Sequence, residues 1–332
     1  MAKKANSSVS YSGSCLSSSL VVYLTTTAAL MMMTVMPAMV AGAIPERTTQ
    51  DHLVRAVTST CSAVVMSDVV LTSSLPDVNT TACPEVKIVG ACGRRRCKID
   101  GADKYAFIRS PSTIRLENLH ITRMRCSGNN NAPVVFMPRS LYMTNCLVST
   151  NVNPDDTGAI TTEEGSLDIQ STTFEYNTGG TGGGAIRLDS FATLKATNVI
   201  FRDNKGVEGG AIKNVESDIQ CDRCQFLNNE AGDGGAVYLR DNGGTEATFT
   251  NTVFRGNRAT KVGGLGGAVF IDNIDPGVKF CYSTFEQNTP ENVYVGIAPG
   301  DNGRVIFCPS TPTAVMINPG SEPLVTVNCA VC

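Results

Sequence analysis

The chain has 332 residues, 27 Lys and Arg against 30 Asp and Glu, and a formal net charge of −3, so it carries no overall basic footprint and nucleic acid is set aside as a partner. Only two histidines, His52 and His120, are present, which argues against a histidine-built metal site. With 31 glycines and no tryptophan, the composition suits many tight turns better than long helices.

Residues 1–43 read as a targeting segment. Lys3 and Lys4 supply positive charge, an apolar run covers residues 20–40, and Ala41-Gly42-Ala43 has the small-x-small pattern of a cleavage site. A retained N-terminal anchor is the alternative, because the run is long enough to cross a bilayer; only then is a membrane a partner. Either outcome places the body outside the cytosol, secreted or at the cell surface. Of thirteen cysteines, Cys15 falls in this leader and the rest form an even set, as expected in an oxidising compartment. Asn79-Thr80-Thr81 is an N-glycosylation sequon beyond the leader.

Residues 44–63 form a linker and a short helix. Leu53, Val54 and Val57 share an amphipathic spacing, and such a helix would cap the first coil of a stacked core. Coils are expected from residue 64, and along the middle of the chain two motifs alternate. One is Gly-Gly-Ala followed by Ile or Val, ending at Ile186, Ile212, Val237 and Val269. The other is Phe-x-x-Asn, at Phe174/Asn177, Phe201/Asn204, Phe226/Asn229, Phe254/Asn257 and Phe285/Asn288. Successive phenylalanines stand 27, 25, 28 and 31 residues apart, and self-similarity at such a period signals a stacked architecture. The segments between are short, β-branched and alternate with period two.

The expected fold is all-β: a single right-handed parallel β-helix over residues 64–327, with a Cys-containing tail at 328–332. Like strands of successive coils stack about 4.8 Å apart, so the five phenylalanines become a buried stack. The five asparagines fall where the chain turns; asparagine tolerates left-handed backbone angles and its amide can bond the next coil. The Gly-Gly pairs let the backbone pass a crowded corner. The longest linker, residues 258–265, is expected to protrude. "VKFC" and "VIFC", ending at Cys281 and Cys308, align one coil apart, which predicts a Cys281–Cys308 bridge. Proximity suggests Cys61–Cys83, Cys92–Cys97 and Cys329–Cys332. The Cys221-x-x-Cys224 pair sits in a strand and its turn, which favours a structural role over a redox one.

The paired Gly-Gly-Ala-Ile and Phe-x-x-Asn tetrapeptides resemble the repeats of polymorphic outer-membrane proteins. The stretch over residues 86–101, "VKIVGACGRRRCKIDG", looks like the leading coil of secreted β-helix proteins with a pectin-lyase-like fold. The first resemblance implies a surface β-helix engaged in adhesion, and the second admits polysaccharide-modifying enzymes. Outer-membrane members carry a C-terminal barrel, and nothing after Asn288 alternates over enough strands for one, so a secreted or wall-associated protein is expected.

Lyases of the pectin-lyase-like kind hold calcium with clustered carboxylates, and hydrolases use paired carboxylates. Asp155-Asp156 and Glu163-Glu164 lack a histidine partner and read as solvated loops. Asp189, Asp241 and Asp272 end equivalent strands, but Arg240 and Lys213 lie among them; no cofactor is expected, calcium being the one considered. The more suggestive feature is the outward column Arg187, Lys213, Tyr238 and Phe270. Two cations beside two aromatics suit a sugar-acid chain lying along the helix axis. The expected function is therefore non-catalytic binding, adhesive or wall-associated, with acidic polysaccharide or cell-surface glycan as ligand. A lyase, epimerase or hydrolase is the alternative.

Overall fold

The computed structural model describes residues 47–129, 131–240, 245–272, 276–296, 303–319, 321 and 324–332. The leader assigned to residues 1–43 lies outside them. Helix α1 (Gln50–Thr58) opens the described chain; it buries Leu53, Ala56 and Val57, while His52 turns back so that its Nδ1 accepts from Thr49 N at 3.1 Å. The helix closes the first coil, covering core that would otherwise meet water.

Three parallel sheets follow. Sheet A has eleven strands, from Ser62–Val65 to Val325–Val327, sheet B nine, from Val69–Val70 to Thr284–Glu286, and sheet C nine, from Ile108–Arg109 to Val315–Ile317. The chain visits A, B and C in turn, so each strand pairs with its counterparts one coil before and one coil after: a parallel β-helix. The register is set residue on residue, Phe174 against Phe201, then Phe226, Phe254 and Phe285. Successive rings lie 5.2, 4.9, 4.9 and 4.8 Å apart, with planes within 11° of parallel. A second stack, Phe249, Phe280 and Phe307, meets the first edge-on.

The asparagines form a ladder one coil longer than the motif, from Asn151 through Asn177, Asn204, Asn229 and Asn257 to Asn288. Each amide nitrogen donates to the next Asn Oδ1 at 2.8–3.0 Å. From Asn151 on it also donates to a carbonyl of the preceding coil, such as Phe201 O from Asn229 at 3.0 Å. Each Oδ1 in turn accepts the backbone N–H of the preceding ladder residue. The left-handed conformation falls not on these residues but on the one before each: Tyr176, Asp203, Asn228, Gly256 and Gln287 have φ of 53–67°. The ladder asparagine supplies hydrogen bonds, and its neighbour bends the chain. At the opposite corner Gly209 has φ +72°, and a Cβ on Gly210 would sit 2.1 Å from Gly235 O of the next coil. The Gly-Gly pairs are therefore steric requirements.

The corner between sheets A and B uses small hydrogen-bonding side chains. Thr172 Oγ1 accepts from Cys146 N at 3.2 Å and donates to Gln170 O, and Ser283 does the same for Thr252 and Phe249. Cys146 and Cys224 occupy equivalent sites, their thiols directed at Thr144 O and Ala196 O. Burial pushes the Cys146 thiol up to about 11 and raises Cys221 as well. These cysteines, with Cys126, are buried free thiols, so the twelve beyond the leader do not all pair.

Four disulfides clamp the two ends. Cys61 bridges Cys83 and Cys92 bridges Cys97, as spacing suggests. The predicted Cys281–Cys308 and Cys329–Cys332 bridges are corrected: Cys281 joins Cys332 and Cys308 joins Cys329. Cys281 and Cys308 are Cα partners in adjacent strands, but in-register parallel neighbours hold their Cβ atoms about 4.8 Å apart, beyond the 3.5–4.5 Å a disulfide accepts. The tail instead folds over the last coils and reaches both sulfurs, leaving Cys281 and Cys308 buried.

Replacing Asn229 with Ala would strand the backbone N–H and amide of Asn204 and the carbonyl of Phe201. Each buried group left unpaired costs about 1–3 kcal/mol, so Asn229→Ala is expected to lose roughly 3 kcal/mol or more in urea unfolding. A loss under about 0.5 kcal/mol would show that the ladder contributes little.

Candidate functional site

The predicted column exists as geometry. On sheet C, Arg187 pairs with Lys213, Lys213 with Tyr238 and Tyr238 with Phe270, and Tyr294 and Met316 extend it. Upstream lie Thr161, Phe136 and Arg109, whose guanidinium sits 4.6 Å over the Phe136 ring.

The chemistry of this column differs from the expectation. Arg187 is committed to two carboxylates, Asp156 at 2.9 Å and Asp189 at 2.6 Å, and Lys213 to Glu208 at 2.6 Å. Asp156, read from sequence as part of a solvated loop, is 0 % exposed. It accepts from Asn131 N and Thr157 Oγ1 as well as Arg187. Tyr238 is only 6 % exposed, and burial, with Glu208 and Asp272 nearby, pushes its hydroxyl up to about 12. The rings of Tyr238, Phe270 and Tyr294 stack at 5.0 Å, within 14° of parallel. Phe270 thus has both faces covered, and Tyr238 and Tyr294 have one each covered by Phe270. Stacking along the column leaves Tyr238 and Tyr294 at most one face each for a sugar ring.

The carboxylates also fall short of a catalytic pair. Glu163 and Asp189 are Cα partners. Burial holds both above their ordinary range, with the neighbouring carboxylates adding to the rise and Arg187 opposing it. Yet Arg187 locks Asp189 to Asp156 inside the wall. Asp189 and Asp272 are separated by Val215 and Arg240, three steps of about 4.8 Å, and Asp241 lies outside the described residues. Among the described residues, no three His, Cys, Asp or Glu side chains gather as metal ligands. The linker over residues 258–265 presents Val262 fully exposed at its tip, with Arg258 held by Glu230 and Lys261 by Asp233. Asn79 of the sequon is exposed, its Oδ1 accepting from Ala82 N.

Sequence reasoning passed over a different set of groups. Arg94, Arg95, Arg96, Lys98 and His120 line a groove of about 630 Å³ on the outer side of sheet B. The signal was the "GRRRC" string, which served only as part of a resemblance to a leading coil.

In comparisons with known proteins, residues 171–188 match the Chlamydia polymorphic membrane protein repeat. The matched stretch takes in Phe174, Asn177 and the Gly183-to-Ile186 tetrapeptide. Neither the curated proteins nor the solved structures compared with this chain give a match.

The buried triad gives a test of stability. Arg187→Gln leaves Asp156 and Asp189 without their cation inside the wall, a situation that typically costs about 3–5 kcal/mol. A carboxyl whose pKa is raised on folding binds more protons in the folded state, so stability rises as pH falls. Urea midpoints of the variant are therefore expected to recover from pH 7 toward pH 5, and a pH-independent deficit would contradict this account.

Proposed function

We propose that this chain is a surface-exposed, non-catalytic β-helix that works outside the cytosol by binding, in adhesion or in association with a wall, with acidic polysaccharide as its ligand class. The observation that carries the reading is the match of one coil to a polymorphic membrane protein repeat within a solenoid that repeats the same coil along its length. Four disulfides support it, since such bridges persist in oxidising surroundings. The state of the carboxylates favours binding over turnover. A hydrolase needs two carboxyl groups facing a shared substrate, whereas Asp156 and Asp189 are bound to Arg187.

The reading has two measurable consequences. Intact cells producing the full chain should lose it to added protease. The oxidised purified protein should be retained on immobilised polygalacturonate or dextran sulfate but not on neutral dextran. Release of unsaturated or reducing ends during incubation would overturn the non-catalytic part, and protection from protease in intact cells would overturn the surface part.

A further inference from the structure

The groove over sheet B has a wall and a floor built by different means. Its wall is the loop closed by the Cys92–Cys97 disulfide, whose Cα atoms are 5.3 Å apart, and the loop carries Arg94, Arg95 and Arg96. Its floor is Lys98, His120 and Leu147, which are Cα partners in three successive coils. The residues lining it include these three arginines, Lys98 and one carboxylate, Asp68, in a chain whose net charge is −3; Lys98 Nζ is paired with the buried Asp100 at 3.3 Å.

The arginines are held in place without losing their charge as a group. Asp68 Oδ1 accepts from Arg95 Nη1 at 2.6 Å and from Lys98 N at 2.8 Å, tying the loop to the first coil. Arg96 is fixed by neutral acceptors: its Nε donates to Asn145 O at 2.7 Å and its Nη2 to Asn145 Oδ1 at 2.8 Å. Arg94 is exposed and has no ion pair or hydrogen bond among the described residues. Guanidinium groups so presented are suited to carboxylate or sulfate oxygens.

We infer that this groove binds an acidic polysaccharide chain laid along the helix axis, its carboxylate or sulfate groups taken by Arg94 and Arg96. The inference rests on the reading of the chain as a surface binding protein and assigns that binding to one place. The floor extends over two coil steps of about 4.8 Å, more than one small anion needs, and Leu147 offers an apolar surface to a sugar ring. No Phe or Tyr lines the groove, so nucleobases lack the stacking platform that single-stranded nucleic acid uses. His120 adds a pH response. It is half-buried, with Nε2 2.8 Å from Ser149 Oγ. Burial, then Lys98 and Arg96, hold its pKa below the ordinary 6.5, while Glu175 and Asp100 oppose them. Its neutral form is therefore favoured, and protonation on acidification adds positive charge to the floor.

The test uses the full, oxidised protein on immobilised polygalacturonate and on dextran sulfate, in parallel and at fixed salt. Arg94→Ser with Arg96→Ser should weaken retention at least tenfold on whichever polymer binds, while Lys261→Ser, which removes an exposed cation elsewhere, should not. Arg94→Ser alone, whose side chain supports nothing in the fold, should lose about half of that effect on a logarithmic scale, which covers the case in which the double variant misfolds. Binding confined to polygalacturonate assigns the groove to carboxylates, and binding confined to dextran sulfate assigns it to sulfates. Retention should strengthen as the pH falls below 6.5, and His120→Gln should flatten that rise. Wild-type retention by the arginine variants overturns the groove while leaving the binding function standing. Equal, arginine-dependent binding of single-stranded DNA overturns the polysaccharide assignment. Failure of the wild-type protein to bind either polymer overturns the functional reading and the groove together.

Discussion

Six successive coils turn a corner between sheets B and C with the backbone shut away from water, and a buried asparagine at that corner, from Asn151 to Asn288, is what permits the turn. Its amide bonds the carbonyl of the coil before and the asparagine of the coil after, so all of its capacity is used. These bonds form only when the coils stand in one register, because a shift of one residue would leave several buried polar groups unpaired in a low-dielectric interior. Apolar stacking is more forgiving than that. The phenylalanine columns fill the cylinder and supply burial of roughly 1.5–3 kcal/mol per ring, but the polar ladder makes the register unique.

Once residue sits on residue, the outer faces inherit a constraint. Like charges in one column would lie about 4.8 Å apart and repel. Where like charges do stand as neighbours, Lys87 beside Arg115 and Arg187 beside Lys213, opposite charges offset them: Arg115 pairs with Glu85 and Lys87 with Glu117, and elsewhere Arg202 pairs with Glu175 and Arg258 with Glu230. The sheet C column follows the same rule through Arg187 and Lys213, whose carboxylate partners come from the wall beside them. An in-register sheet face is thus driven toward local neutrality, and it is a poor place to keep cations available for a ligand.

The same physics separates what was legible in the sequence from what was not. Repeating Phe, Asn and Gly-Gly residues announced the coil, its length and its inward columns, because a stack repeats whatever fills its core and corners. The residues that bend the chain, such as Tyr176, Asp203 and Gln287, left no signature, because side chains of many kinds reach the left-handed region when their neighbours hold them there. The disulfides at the C-terminal end were misread because Cα spacing alone was weighed, whereas Cβ direction decides which sulfurs meet. The sheet C candidates were located correctly on one face, but their partners, Asp156 and Glu208, sit in connecting segments 31 and 5 residues away, where periodicity gives no guidance.

Charge that must stay available therefore has to leave the ladder, and the Cys92–Cys97 loop is a device for doing so. It steps out between sheet A and sheet B, carries three arginines in sequence and returns to the register at Lys98. A free loop of that kind would be ordered by its ligand at a cost of about 0.5–1.5 kcal/mol for each long side chain immobilised. Here the disulfide, Asp68 and Asn145 have already fixed the loop and two of its arginines. The rigidity that the asparagine ladder gives to the solenoid is in this way extended to a group outside it, and the floor beneath the loop keeps the coil spacing as its measure.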